Sequence, residues 1–185
     1  MATHAEKQTE DSTTLIERLA RNARAAQRLL AAMTSESKAD ALMKAASALR
    51  EDAVAILAAN ARDIAAGEAN GLTGAMLDRL RLDESRLEGI AAGVEAVAQL
   101  PDPVGDVIDH SERPNGLRLS RVRVPIGTIG IIYESRPNVT ADAAALCVRA
   151  GNAALLRGGS EAVHSNRAIL AALVRGLEAG GVPPD

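Results

Sequence analysis

Two short polar clusters hold the side chains best suited to binding or chemistry, and each directly follows an apolar run. The first cluster is ESRPN at 134–138, after the run IGTIGIIY, and the second is RGGSE at 157–161, after AALL. Open α/β sheets bind their ligands in crevices at the carboxyl ends of the strands. Both clusters are therefore candidate ligand-binding loops.

The second cluster has the residues expected of a nucleotide-binding turn. Gly158 and Gly159 lead into a predicted helix, whose N-terminus would present free backbone N–H groups, with Ser160 as the predicted N-cap. Arg157 can hold a phosphate with its planar guanidinium group, and Glu161 can accept hydrogen bonds from a ribose hydroxyl. The usual G-x-G-x-x-G motif is absent. The alternative is an ordinary strand–helix turn, in which glycine supplies the geometry and serine the cap.

The first cluster also has a purely structural alternative, namely a surface loop that ends at a helix cap. Pro137 ends the apolar run, and Asn138 or Thr140 can cap the helix that follows. Cys147 lies in the middle of that predicted helix, among alanine, leucine and valine. A thiol in apolar surroundings has a raised pKa and stays unreactive, so we interpret Cys147 as a packing residue and not as a nucleophile.

Composition excludes several classes of function. One cysteine cannot form an internal disulfide or a cysteine zinc site, and the three histidines lack metal-ligand spacing, so no metal site is predicted. A net charge of −3 without a basic block or aromatic platform argues against nucleic-acid binding. No stretch has the length of a membrane span, and the first residues do not resemble a signal peptide, so we expect a cytoplasmic protein.

The elements around the two clusters follow a β-α-β-α order. Strands are predicted at 126–133 and 153–157, and the helix between them ends at Gly151-Asn152 in a left-handed cap. A final helix is predicted from about 161 to 178. The run at 126–133 is apolar on both faces, which favours a parallel strand buried on both sides. This pattern predicts the start of a doubly wound, Rossmann-like parallel sheet.

The first half of the chain is predicted to be a helical layer. Residues 1–12 form a polar tail that we expect to be disordered, and 13–100 carry apolar residues at helical spacing. One such stripe comprises Val54, Leu57, Ala61 and Ile64. Asp83 is the predicted N-cap of a helix at 84–99. The chain has no Phe or Trp, so this core must be built from small and aliphatic side chains.

Between these two parts, residues 101–124 are predicted to form a loop and a β-extension. Pro114-Asn115-Gly116 is a strong turn signal. After it the alternation of apolar and polar residues shifts phase by one, which predicts a bulge or strand break near Ser120. Residues 125–185 then hold the β-α-β-α part.

The stretch VPIGTIGIIYESRPNVTADAAALCVRAGNAALLRGGSEA closely resembles γ-glutamyl phosphate reductases, or glutamate-5-semialdehyde dehydrogenases, of the aldehyde dehydrogenase superfamily. Within it, YESRPN and LRGGSEA are similar to this family more than to a general aldehyde dehydrogenase. The run DPVGDVIDHSERPNGLRLSRVRV at 102–124 resembles the same family. The resemblance covers nearly the whole chain after the first dozen residues and implies an aldehyde-dehydrogenase-like fold.

The resemblance implies NADPH-dependent reduction of γ-glutamyl phosphate to glutamate 5-semialdehyde, a step of L-proline biosynthesis. It places Arg157 and Glu161 beside the adenosine part of the cofactor, and either Ser135 or Asn138 at the oxyanion. Arg136 could pair with the carboxylate or acyl phosphate of the substrate. The reactive cysteine, whose thiolate displaces phosphate, is expected downstream of residue 185, so no catalytic residue is expected in this chain.

Further expectations concern assembly and completeness. The resemblance implies a homo-oligomer that uses 101–124 as its oligomerisation region, and an association with glutamate 5-kinase. The chain stops where another parallel strand should begin, so we expect a fragment of a longer protein that is inactive alone. The alternatives are another aldehyde or acyl dehydrogenase, or a non-catalytic cofactor-binding or assembly module complete at 185 residues.

Overall fold

A computed structural model describes residues 11–183. The N-terminal half contains five helices: α1 Ser12–Ala31, α2 Ser35–Glu51, α3 Ala53–Ala69, α4 Gly74–Leu80 and α5 Glu84–Ala98. The remainder contains β1 Val107–Glu112, β2 Arg118–Val122, β3 Thr128–Ile132, α6 Pro137–Arg149, β4 Ala153–Arg157 and α7 Val163–Ala179. Most of the predicted tail, 1–12, lies outside the described residues, but its last residue already begins α1 and Asp11 is the N-cap.

The main core lies between helices and not on the sheet. Its buried side chains come chiefly from α2, α5, α6 and α7, with single contributions from α1 and α3. They are mostly alanine, leucine, isoleucine and valine, as the absence of large aromatic residues predicted. The predicted helical layer is confirmed, and α5 begins at its predicted cap, where the Asp83 carboxylate accepts the Arg86 N–H at 2.7 Å.

Helices α2 and α7 cross with their backbones almost in contact. A Cβ added to Gly176 would lie 2.4 Å from the Cα of Ala45, and one added to Gly180 would lie 2.3 Å from the Cα of Ala41. Both alanines are completely buried. Small residues on both helices therefore allow this close approach, which bulkier side chains would prevent.

The buried side of α3 differs from the predicted apolar stripe and includes polar residues. Val54, predicted to lie on the apolar stripe, is 83% exposed, whereas Asn60 and Asp63 are each 2% exposed. Asn60 donates to the carbonyl of Leu80 at 2.8 Å and accepts the Leu82 N–H at 2.8 Å. The predicted stripe is wrong at Val54 and Ala61, which are exposed, and correct at Ile64, which is buried. The buried polar groups of α3 satisfy backbone groups of other elements, an arrangement that apolar spacing does not reveal.

A buried ion pair anchors the linker between the helical layer and the β-structure. The Lys38 ammonium, 1% exposed, lies 2.5 Å from the Asp102 carboxylate. Burial alone would raise the pKa of Asp102, but its hydrogen bond to Lys38 contributes to holding that pKa below the usual value. Nearby, Arg149 donates to the carbonyls of Leu100 at 2.8 Å and Ser35 at 2.7 Å. The linker is thus held by charged groups on α2 and α6.

Strands β1 and β2 form an antiparallel hairpin around the predicted turn, where Gly116 has a φ of 81°. The predicted irregularity exists but lies on the other strand. His110 pairs in regular register with Ser120, and the register shifts between Val107 and Asp109. The extra residue is accommodated in β1, so the predicted bulge near Ser120 is misplaced. Every residue of both strands is exposed.

Strands β3 and β4 pair in parallel, as predicted, with Ile129 opposite Ala154 and Ile131 opposite Leu156. The expectation that the run at 126–133 is buried on both faces is wrong for this chain, because Ile126 is 84% and Ile132 is 77% exposed. The sheet holds these two strands only among residues 11–183, and the core packs against part of it. The predicted stop of α6 is confirmed, with Gly151 at a φ of 71°.

Candidate functional site

The two predicted loops meet at the carboxyl edge of the β3–β4 sheet. The ladder extends one residue beyond the strands, since the Tyr133 N–H donates to the carbonyl of Arg157 at 3.1 Å. The Ser135 hydroxyl then donates a short hydrogen bond to the carboxylate of Glu161. One residue from each predicted cluster therefore forms a direct bridge between the loops.

The bridge tunes the acidity of Glu161. The Ser135 hydroxyl is the largest influence and lowers the pKa of this carboxyl below its usual value, with help from the residue's own backbone N–H and the Ser160 side chain. Like any glutamate with the ordinary pKa of 4.5, Glu161 is an anion at neutral pH, and the hydrogen bonds keep it ionised in more acidic solution. An ionised carboxylate at a strand end can accept hydrogen bonds from hydroxyl groups of a ligand.

Close packing explains the two glycines between the loops. A Cβ on Gly158 would lie 2.2 Å from the amide nitrogen of Asn166, and one on Gly159 would lie 2.1 Å from the Ser135 hydroxyl oxygen. Neither glycine has a positive φ. They are required by the proximity of neighbouring side chains and not by an unusual backbone conformation.

The N-terminus of α7 is closed by a residue that the sequence did not suggest. Asp63 of α3 accepts the backbone N–H of His164 at 3.1 Å and that of Ser165 at 2.7 Å, and also the Ser165 hydroxyl at 2.6 Å. The predicted cap, Ser160, instead begins a short 3₁₀ turn and makes no side-chain capping bond. The cap prediction is wrong because a buried carboxylate distant in sequence already occupies the helix end.

The start of α6 also differs from the prediction. Its N-cap position is Arg136, with no side-chain capping bond, and Pro137 is the first helical residue. The predicted caps are used elsewhere. Asn138 donates to Asp142 at 3.0 Å, while the Thr140 hydroxyl is hydrogen-bonded to the Tyr133 hydroxyl at 2.7 Å.

The predicted site residues divide among three cavities. A serine–glutamate pocket of about 380 Å³ brings together Ser135, Arg136, Gly159 and Glu161 over Leu72, Met76 and Leu80. Arg157 instead lines an apolar groove of about 560 Å³ between α1, β4 and α7. Asn138 lines a third cavity, on the other side of Arg136. One cavity thus joins Ser135 with Glu161, whereas Arg157 and Asn138 each line a different one.

The third cavity, which we call the arginine cleft, was not predicted. Its volume is about 470 Å³, and four arginines and two aspartates line it: Arg79, Arg81, Arg86, Arg136, Asp78 and Asp142. The segment that carries Arg79 and Arg81 is fixed by the buried amide of Asn60, which bonds the backbone on either side of Arg81. Arg79 and Arg136 also line the serine–glutamate pocket, so the two cavities share a wall.

Cys147 has the surroundings expected of an unreactive thiol. It is 6% exposed within α6, and burial raises its pKa. Within residues 11–183, no group of three or more His, Cys, Asp or Glu side chains is arranged to hold a metal ion. Over the same residues, no helix has both the length and the apolar character needed to cross a bilayer.

Comparison with known proteins identifies close relatives. No family model matches the chain. A γ-glutamyl phosphate reductase from Novosphingobium aromaticivorans is 64% identical over 185 residues, which are 100% of this chain and 44% of the relative. A second, from Caulobacter vibrioides, is 62% identical over 165 residues, covering 89% of this chain and 40% of the relative. The chain therefore spans less than half the length of these relatives.

Solved structures give the same result. The crystal structure of a γ-glutamyl phosphate reductase from Thermotoga maritima matches with a TM-score of 0.88 at 44% identity, over 92% of this chain and 41% of that one. A putative aldehyde dehydrogenase from Bacillus subtilis matches with a TM-score of 0.69 at 21% identity, over 92% and 35%, and so shares the fold. By sequence and structure, the chain is similar to a portion of the γ-glutamyl phosphate reductases, and its fold is that of the aldehyde dehydrogenases.

Proposed function

We propose that the natural polypeptide carrying this sequence reduces γ-glutamyl phosphate to glutamate 5-semialdehyde with NADPH, in L-proline biosynthesis. The observation that carries the proposal is the 64% identity to a γ-glutamyl phosphate reductase over all 185 residues. The cofactor supplies the hydride when bound. The thiol that attacks the acyl phosphate belongs to a part of the polypeptide beyond this chain, because Cys147 is buried with a raised pKa.

The serine–glutamate pocket fits the ribose of a nicotinamide dinucleotide. Glu161 is ionised, is held by Ser135 and lines a cavity of about 380 Å³, so its carboxylate can accept ribose hydroxyls. Arg157 ends β4 one residue before the glycines and is exposed, which suits a contact with the adenosine phosphate. Gly158, Gly159 and Ser160 shape the turn between these two side chains. NADPH is proposed over NADH because a 2′-phosphate would give Arg157 an anionic partner.

On the substrate side, Ser135, Arg136 and Asn138 follow β3. Ser135 or Asn138 is proposed to donate to the developing oxyanion, and Arg136 to pair with an anionic group of the substrate. Asn138 has one amide proton engaged with Asp142 at 3.0 Å, whereas the single hydroxyl proton of Ser135 is engaged with Glu161. This difference favours Asn138 as the donor, because its amide carries a second proton.

Assembly and location are proposed on the same basis. The β1–β2 hairpin, exposed along both strands, is suited to pairing between copies in a homo-oligomer. The association with glutamate 5-kinase and the cytoplasmic location remain predictions from the family. Sedimentation of the natural polypeptide with and without residues 107–122 tests the proposed homo-oligomer. Deletion of these residues should reduce the assembly to a smaller species, and an unchanged mass would contradict the proposal.

The activity is tested in the reverse direction with NADP⁺, phosphate and glutamate 5-semialdehyde. The natural polypeptide should form NADPH, the Cys147→Ala variant should retain this activity, and the 185-residue chain alone should have none.

Arg157→Ala should raise the KM for NADPH by about ten- to a hundredfold, since a charge-assisted hydrogen bond is worth ~1.5–3 kcal/mol and this contact is remote from the hydride. Absence of NADP⁺-dependent turnover would refute the proposed reaction, and an unchanged KM in a folded variant would refute the role of Arg157.

A further inference from the structure

The arginine cleft holds charges of both signs, and only two of them pair with each other. Arg86 is engaged, with its guanidinium 2.7 Å from the Asp78 carboxylate. Arg79, Arg81 and Arg136 form no ion pair with any residue in the described part of the chain, 11–183. Four arginines against two aspartates leave the cleft with an excess of positive charge. The arrangement favours a ligand that carries an anionic group.

The remaining aspartate gives the cleft a second binding chemistry. Asp142 lies in α6, is half-buried and accepts a hydrogen bond from the Asn138 amide at 3.0 Å. Among the described residues it too forms no ion pair, although arginines line the same cavity. A carboxylate accepts hydrogen bonds only, and it retains acceptor sites that a cationic N–H donor of a ligand can use.

The position of the cleft relates it to the proposed reaction. Arg79 and Arg136 form part of the wall shared with the serine–glutamate pocket, and Pro137 and Asn138 line the cleft at the beginning of α6. A ligand in the cleft would therefore lie beside the loop proposed to serve the oxyanion. Its volume of about 470 Å³ accommodates a molecule of amino-acid size.

We propose that the arginine cleft binds the head group of an α-amino acid, with its carboxylate on Arg79, Arg81 and Arg136 and its ammonium group on Asp142. This inference rests on the proposed function and deepens it, because it assigns the end of the substrate remote from the acyl phosphate. Unpaired charges of opposite sign that line one cleft match a zwitterion better than they match a simple anion. The shared wall places the rest of the substrate toward the cofactor.

The test is calorimetric titration of the natural polypeptide with four small molecules. L-Glutamate carries both head-group charges, glutarate lacks the ammonium group, 4-aminobutyrate lacks the α-carboxylate, and inorganic phosphate offers an anion alone. L-Glutamate should bind at least ~10-fold more tightly than each of the other three, the loss expected for one charge-assisted contact. Equal affinity for L-glutamate and glutarate, or for L-glutamate and 4-aminobutyrate, would overturn the proposal.

Two variants separate the charges. Asp142→Asn should weaken L-glutamate ~10-fold and leave glutarate unchanged, whereas Arg81→Gln should weaken both ligands ~10-fold. The control variants Asp106→Asn and Arg62→Gln change exposed residues outside the cleft and outside the hairpin, and they should alter neither affinity. Equal losses for both ligands in Asp142→Asn, or no loss in Arg81→Gln, would refute the assignment.

A parallel titration with NADP⁺ distinguishes this proposal from the proposed reaction. Both cleft variants should retain the affinity of the original protein for NADP⁺. If the original protein binds no NADP⁺ but still discriminates L-glutamate from glutarate, the proposed reaction fails and the amino-acid site stands. If it binds NADP⁺ without that discrimination, the amino-acid site fails and the reaction stands.

Discussion

The crossing of α2 and α7 and the loops at the sheet edge both depend on glycine, but in different ways. At the crossing, a Cβ on Gly176 would meet the backbone of Ala45 at 2.4 Å. In the loops, a Cβ on Gly159 would first meet the Ser135 hydroxyl at 2.1 Å. A side-chain hydroxyl can rotate away, whereas two packed helices must move apart. The first glycine therefore serves stability, and the second serves the arrangement of the site.

The largest expected effect is at the crossing. Gly176→Ala should lower the free energy of unfolding by about 3 kcal/mol, because overpacking against a helix backbone outweighs the gain in helix propensity. Gly89→Ala is the matched control, since a Cβ there meets nothing within 4 Å. That variant should gain about 0.5–1 kcal/mol. Chemical denaturation measures the free energy of unfolding of both variants. If Gly176→Ala were as stable as Gly89→Ala, the close crossing of the two helices would be contradicted.

The junction between the two regions should show the next largest effect. Asp63→Ala should cost about 2 kcal/mol, because it leaves two N–H groups at the start of α7, one of them buried, and the buried Ser165 hydroxyl without their acceptor. Asp40→Ala removes an exposed carboxylate that pairs with Lys44 on α2 and should cost less than about 0.5 kcal/mol. If thermal denaturation gave equal losses for the two variants, Asp63 would not be the cap of α7.

In the loops, a substitution should affect binding more than stability. Gly159→Ala displaces the Ser135 hydroxyl and breaks its bond to Glu161, so the affinity for NADPH should fall about tenfold while the free energy of unfolding changes by less than about 1 kcal/mol. Gly74→Ala, where a Cβ meets nothing within 4 Å, should change neither quantity appreciably. If Gly159→Ala lowered the free energy of unfolding by several kcal/mol and left the affinity for NADPH unchanged, the distinction between the two kinds of glycine would be lost.

The smallest effect concerns the acidity of Glu161. Its pKa is depressed chiefly by Ser135, so Ser135→Ala should raise this pKa toward the ordinary value of 4.5. The carboxylate is the form that accepts hydrogen bonds from ribose hydroxyls. As the pH falls, the variant should therefore lose affinity for NADPH at a higher pH than the original protein does. Ser160→Ala should shift the pKa less, since Ser160 is a weaker influence. A ¹³C NMR titration of the Glu161 side chain measures its pKa in each variant. Equal changes in this pKa for Ser135→Ala and Ser160→Ala would contradict the bridge.

Local patterns predicted the elements well, because their causes are local. Asp83 caps α5 directly before the residues that form it, and Gly151 ends α6 where a left-handed conformation was expected. The phase shift in the hairpin correctly signalled an irregularity. It could not say which strand absorbs the extra residue, because either side of an antiparallel pair can bulge.

The errors arose where distant residues decide the outcome. Asp63 takes the capping role predicted for Ser160, although the two lie on different elements. The arginine cleft was missed because Arg79 and Arg81 come from the α4–α5 segment and Arg136 from the loop after β3. Spacing cannot show that these segments adjoin. The bridge between Ser135 and Glu161 joins two predicted clusters, but nothing in either cluster indicated the contact.

The most direct test of the division between a stabilising core and a binding edge is hydrogen–deuterium exchange on the natural polypeptide with and without NADPH. Amides of α2 and α7 should exchange slowest in both conditions, because opening them requires the core to separate. NADPH should slow exchange at 133–136 and 157–162 and leave the hairpin at 107–122 unchanged. Protection by NADPH that is absent from both loops and appears elsewhere would contradict the assignment of the cofactor site to this edge.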